Sequence, residues 1–120
     1  MLIKKNSLIS DLQKEFNAVY PGLKIVFYKK GHGDHEGSQK ASEYESGLKI
    51  SEIQNSLNDG SIDLSPTKSV AQLEQEFEEN FGLHVQVFRR SNTLWLQTVR
   101  TDDWTLEVQN SKGLHSIQNN

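Results

Sequence analysis

Along residues 69–90 the spacing of apolar positions changes period once. Val70, Leu73, Phe77 and Phe81 recur at three- and four-residue steps, the stripe of an α-helix that faces a core. Glu74, Glu76, Glu78 and Glu79 fall on the opposite side, where a glutamate run is expected to be solvated. Gly82 supplies a left-handed helix stop, and Leu83, Val85 and Val87 then alternate with polar positions, the period of a strand. Ser69-Val70-Ala71-Gln72 fits a capping box, with Thr67 after Pro66 as a competing cap. The pattern predicts a helix, a glycine stop and a strand over 83–90.

Residues 8–30 carry the same pattern. Ile9, Leu12 and Phe16 match Val70, Leu73 and Phe77, and Tyr20, Gly22 and Leu23 match Phe81, Gly82 and Leu83. Ile25 and Phe27 match Val85 and Val87, and Lys29-Lys30 match Arg89-Arg90, with Pro21 skipped. Asn6 or Ser7 is the expected cap of this first helix, and Leu8, Ile9, Leu12, Phe16 and Val19 are its expected apolar stripe. Leu2-Ile3-Lys4 and Ile62-Asp63-Leu64 precede the two helices as short candidate strands. The spacing therefore predicts an internal strand–helix–strand repeat, about 2–30 and 62–90, within one domain of 120 residues.

Outside the repeat the signals are weaker. Residues 31–46 are glycine-rich at first and aperiodic, which predicts a mobile loop. Leu48, Ile50, Ile53 and Leu57 fit a short helix, with a strand over 47–51 as the alternative. Ser91-Asn92 separates 83–90 from 94–100, which predicts an antiparallel hairpin. In its second strand Leu94 and Leu96 share one face while Trp95, Gln97 and Val99 share the other. The segment 101–110 suits either a helical turn capped by Asp102 or Asp103 or a strand, and Trp104 and Leu106 are expected to return over Trp95. Residues 114–120 are polar and expected to fray.

Composition narrows the function classes. Thirteen basic against sixteen acidic side chains leave a net charge of −3, which disfavours nucleic acid bound through bulk charge. There is no cysteine, so thiolate metal sites, disulfides and cysteine nucleophiles are excluded. No apolar run is long enough for a transmembrane helix, and the first residues lack the apolar core of a signal peptide, so a cytoplasmic location and no membrane partner are expected. No nucleophile elbow, P-loop, dinucleotide fingerprint or H-E-x-x-H is present, and no catalytic residue is assigned. Asp102 and Asp103 are adjacent and suit turn duty better than a shared-proton dyad.

Two surfaces remain. His32, Asp34, His35 and Glu36 are a possible ligand set for a divalent metal, weakly bound, with His84 or His115 as a further ligand. Phe88, Arg89, Arg90 and Trp95, with Arg100 nearby, form a basic–aromatic patch suited to anchoring a protein partner through carboxylate or phosphate groups.

The run Leu73-x-x-x-Phe77-x-x-x-Phe81-Gly82-Leu83-x-Val85-Gln86-Val87-Phe88-Arg89, followed by Trp95-Leu96 and Thr101-Asp102-Asp103-Trp104-Thr105-Leu106, resembles a group of small uncharacterised bacterial proteins. The resemblance spans about 67–110 and, more loosely, the first unit. Members often have Lys-Ser-Gly where this chain has Arg90-Ser91-Asn92. The resemblance implies helix, strand and hairpin, and it implies no activity.

The expected fold is an α+β two-layer sandwich. Two main helices lie on one face of a four- or five-stranded, mainly antiparallel sheet, ferredoxin-like, with a ubiquitin-like grasp as the alternative. The expected function is a small non-enzymatic interaction module using Phe88, Arg89, Arg90 and Trp95 on a protein partner. The alternatives are a metal-binding or metal-sensing protein using the 32–36 loop and an enzyme completed at a homodimer interface.

Overall fold

The computed structural model describes residues 1–29 and 42–118. Among them the chain forms five strands and four α-helices: β1 (Leu2–Ile3), α1 (Ile9–Val19), β2 (Leu23–Tyr28), α2 (Ile50–Ile53), β3 (Gly60–Ser61), α3 (Val70–Phe81), β4 (His84–Ser91), β5 (Leu94–Gln97) and α4 (Leu106–Gln118). A 3-10 turn at Val99–Thr101 joins β5 to the approach of α4. The fold is α+β, as the alternation of periods predicts.

The strands form two antiparallel sheets rather than one. β1 pairs with β3, and β2, β4 and β5 make a second sheet in that order. A ferredoxin-like or grasp arrangement would unite the strands in a single sheet. Here β1 and β3 are two residues long and pair with each other, with Leu2 opposite Ser61. The outer edge of β2 is occupied: the Gln13 amide donates to Ile25 O at 2.9 Å, and the Asn17 amide donates to Leu23 O at 2.9 Å. Residues 42–44 run along the rest of that edge, Lys29 N–H donating to Ser42 O and Tyr44 N–H to Phe27 O. The second short strand also lies at Gly60–Ser61, two residues earlier than its apolar residues suggest. Ile62 instead extends the pairing by donating its N–H to Met1 O.

α1 and α3 bury the expected stripes. Ile9, Leu12 and Phe16 from the first, and Val70, Leu73, Phe77 and Phe81 from the second, are buried with Leu23, Ile25, Phe27, Val85 and Val87 of the sheet. Phe27 meets Phe77 edge-on with ring centroids 6.0 Å apart, a favoured aromatic geometry. Val19 is the exception: it is 54% exposed.

The helix starts obey one rule that is not local. Leu8 and Lys49 form an isolated bridge just before α1 and α2, and Ser69 and Thr105 do the same before α3 and α4. Around the first bridge, Ile9 N–H donates to Leu48 O and Ile50 N–H to Ser7 O. Ser10 and Ser51 donate to Ser46 O and Lys5 O. Around the second, Val70 and Leu106 donate to Trp104 O and Lys68 O, and Ala71 and Glu107 to Asp102 O and Pro66 O. A helix start leaves N–H groups with no intrahelical acceptor; here each start supplies acceptors to its partner. This explains the corrected cap of α1. It is Leu8, not Asn6 or Ser7, because carbonyls of 46–48 do the work a capping hydroxyl would do. The box at α3 is as predicted, Ser69 Oγ accepting from Gln72 N–H at 3.1 Å and Gln72 Oε1 from Ser69 N–H at 2.9 Å.

The segment after β5 is helical. α4 runs from Leu106 through Gln118, so residues 114–118 continue the helix. It docks where two glycines meet: a Cβ on Gly113 would lie 2.5 Å from Gly22 O. The Asn110 side chain accepts from Gly22 N–H at 2.7 Å, and Ser116 Oγ accepts from Asn92 N–H at the hairpin turn. Asn92 itself has φ 55°, the left-handed conformation this turn position requires.

Candidate functional site

β4 and β5 pair with Phe88 opposite Gln97, Arg89 opposite Leu96, Arg90 opposite Trp95 and Ser91 opposite Leu94. Lys24 of β2 lies opposite Phe88. Because successive strand residues point to opposite faces, the four residues of the expected patch divide. Phe88, Arg90 and Trp95 project from the outer face with Lys24, and Arg89 projects from the inner one.

On the outer face the cations sit over the rings. Lys24 Nζ is 5.3 Å from the Phe88 ring centroid and 5.0 Å from that of Trp95, and the Arg90 guanidinium is 5.3 Å from the Trp95 ring. Arg90 Nε also donates to Asn92 O at 2.7 Å, which ties the side chain to the hairpin turn. Each ring is half-buried with a cation over it, so aromatic surface and positive charge are held together. A groove of about 450 Å³ opens beside them, lined by Gln13, Lys14 and Asn17 of α1, by Lys24 and Val26 of β2, and by Tyr44 and Trp95 among others. Lys24 and Tyr44 were not singled out from the sequence. The cross-strand register that brings Lys24 to Phe88 is the missing information.

Arg89 serves structure. Its Nη1 donates to Gln109 Oε1 at 3.0 Å and its guanidinium lies 5.6 Å from the Trp104 ring. Trp104 was expected to cover Trp95; it instead covers Arg89 on the other face, and Leu106 is fully buried in the core. Gln109 is buried as well and donates to Thr101 O and Oγ1, so Arg89 is held in a polar network under α4.

Glu74 departs from the solvated face expected of the glutamate run, while Glu78 and Glu79 are exposed as expected. It is 8% exposed. Its Oε2 accepts from Val87 N–H at 2.9 Å and from the Gln86 amide at 3.3 Å. The carboxylate thus closes the stretch of β4 that β5 does not reach. Gln86 is fully buried, and its Oε1 has no hydrogen-bond partner among the described residues.

A second pocket, about 180 Å³, is lined by Tyr28, Tyr44, Gln54 and His84 among others. His84 Nδ1 lies 3.6 Å from Glu78 Oε1. Burial, reinforced by the Glu43 carboxylate, pushes the Tyr28 phenol up to about 12. Burial raises Tyr20 too, with Asp63 and Glu107 adding to it, and its hydroxyl donates to Leu64 O.

His32, Asp34, His35 and Glu36 lie outside the described residues. Among the described residues, no three His, Asp or Glu side chains gather in a way that would hold a metal ion. None of the described helices is long and apolar enough to cross a membrane. The chain matches no protein-family model, and neither the curated proteins nor the solved structures contain a match to it.

Proposed function

We propose that the protein is a non-enzymatic interaction module whose docking surface is the outer face of the β4–β5 hairpin, built from Phe88, Arg90 and Trp95 with Lys24. The observation that carries this reading is the cation–ring stack itself: three cation–π contacts at 5.0–5.3 Å on a half-buried surface. Rigid aromatics beside cations are the composition that concentrates binding energy at protein interfaces. Arg90 and Lys24 favour a partner segment carrying carboxylates, and a groove of about 450 Å³ with both polar and apolar lining adjoins them. Arg89 leaves the proposed surface because it is committed to Gln109 and Trp104.

The test is capture from native extract with the wild-type chain and with the Trp95→Ala/Arg90→Glu variant as bait, read by mass spectrometry. A partner present with wild type and lost with the folded variant supports the surface, and a drop of about tenfold or more in affinity is the expected size for an anchor of this type. A folded variant that keeps the same partner at unchanged affinity removes it.

The two halves also read as copies of one strand–helix–strand unit. The matched positions are 61 apart before Pro21 and 60 apart after it. Val26 and Gln86, which are matched positions (86 − 26 = 60), lie opposite each other between β2 and β4, with Ile25 opposite Val87 and Phe27 opposite Val85. Gln13 and Glu74, also matched (74 − 13 = 61), each bond the outer edge of their own unit's strand. An approximate two-fold axis through the Val26–Gln86 pair accounts for these pairings.

A further inference from the structure

The sheet has one edge that nothing described covers. The edge of β2 is bonded by Gln13, Asn17 and residues 42–44. The part of β4 beyond β5 is bonded by Glu74 and by Thr98, whose N–H and Oγ1 both donate to Val87 O. β5, by contrast, pairs with β4 alone among the described strands. Asn92-Thr93 forms a two-residue turn that sets Ser91 opposite Leu94, so Leu94 and Leu96 direct their N–H and C=O groups toward β4. Thr98, two residues on, bonds inward in the same phase. Trp95 therefore points its backbone N–H and C=O outward.

Native edge strands are usually protected by charge, proline or a bulge. The strand Leu94-Trp95-Leu96-Gln97 has no charge and no proline, and its register with β4 is unbroken. Leu94 is 63% exposed and Leu96 43%, both on the inner face. A chain with net charge −3 repels its own copies. No charged residue, however, lies between Arg90 and Arg100, so a contact confined to this stretch avoids opposing like charges. An uncharged strand whose Trp95 backbone bonds no other described strand, and whose Leu94 and Leu96 are exposed, is complementary to itself.

We propose that two copies of this chain associate through β5, antiparallel and centred on Trp95, joining their three-stranded sheets into one six-stranded sheet. A two-fold axis perpendicular to the sheet keeps each face on its own side, so residues of the same phase must oppose each other. Trp95 of each copy then exchanges N–H and C=O bonds with Trp95 of the other. Leu94 of one copy faces Leu96 of the second, and four leucines that are exposed in the single chain cover one another. The same-strand contact closes at two copies. It does not depend on the outer-face partner, because Leu94 and Leu96 project from the opposite face to Arg90 and the Trp95 ring.

Sedimentation equilibrium of the full chain, followed as a function of concentration, tests the proposal. An interface of this size stands at the small end of specific contacts, so the average mass should climb from one copy toward two as concentration passes about 0.1 mM. Leu94→Lys/Leu96→Lys, two changes at exposed positions, should weaken the association about tenfold or more while circular dichroism stays that of the folded chain. Cysteine variants read the register. The chain has no cysteine of its own, and opposed residues of this kind lie within disulfide reach. A mixture of Leu94→Cys and Leu96→Cys chains should cross-link under mild oxidation about tenfold faster than Leu94→Cys alone. A single-copy mass throughout, a dimer indifferent to the lysine variant, or equal cross-linking of the mixed and unmixed chains would each overturn it.

Discussion

At the scale of single residues, burial rather than residue type decides what a charged or phenolic side chain does. Glu74 is one of four glutamates on α3 that look alike in the sequence, yet it is the one whose carboxylate reaches the open edge of β4 and accepts from Val87 N–H. Glu74→Ala leaves that N–H without its acceptor and the Gln86 amide with Val87 O alone, in a buried place. The expected cost is about 2–3 kcal/mol, measured as a lower urea midpoint, whereas Glu79→Ala on the exposed side should stay within about 0.5 kcal/mol. Should both variants unfold alike, the edge-closing role of Glu74 is wrong. Tyr28 makes a second case. Its phenol is raised from its ordinary value of 10.0 to about 12 by burial and then by Glu43. The protonated form is the one the fold favours. Stability from this group is complete below pH 10, and is lost as pH rises from 10 toward 12, where the unfolded chain releases the proton first. Tyr28→Phe should flatten the fall in stability across that window. Denaturant unfolding at pH 9 and pH 11.5 measures it, and an identical fall in both proteins would contradict the shift.

At the scale of elements, close approach overrides helix propensity. Gly113 sits inside α4, where alanine is ordinarily better by about 1 kcal/mol. Its Cα nevertheless faces the Gly22 backbone, and an added Cβ would come within 2.5 Å of Gly22 O and 3.1 Å of Gly22 Cα. Backbone cannot step aside as a flexible side chain can. Gly113→Ala is therefore expected to destabilise by about 1–3 kcal/mol despite the better helix former. Hydrogen exchange should show α4 opening first, since Asn110 and Ser116 would lose their bonds to Gly22 and Asn92. A stabilised variant would mean that α4 does not need this contact. The paired helix starts belong to the same scale. Leu8 and Lys49 are poor caps, and they are tolerated because each helix borrows carbonyls from the turn before another helix.

At the scale of the whole molecule, what the sequence by itself determined is whatever depends on neighbours a few residues apart. The stripes of α1 and α3, the stop at Gly82, the box at Ser69 and the alternation through β4 and β5 follow from side-chain spacing, because the helix and strand periods are local properties of the backbone. The antiparallel hairpin is legible too, but its turn lies at Asn92-Thr93, one residue later than Ser91-Asn92, and that shift sets Arg90 opposite Trp95. Contacts between distant segments lay beyond that reading. The division into two sheets, the inward commitment of Arg89 to Gln109, the burial of Glu74 and the placing of Lys24 under Trp95 each join residues far apart in the chain. The choice between helix and strand in the tail is open in the sequence for the same reason. Residues 101–118 have weak amphipathic character, and their helix is held by Gly22, Asn92 and the start of α3 rather than by a stripe of their own. Periodicity decides which segments become helix or strand. Only the packed structure decides which faces meet, because that choice depends on shape, hydrogen-bond satisfaction and register summed over the whole chain.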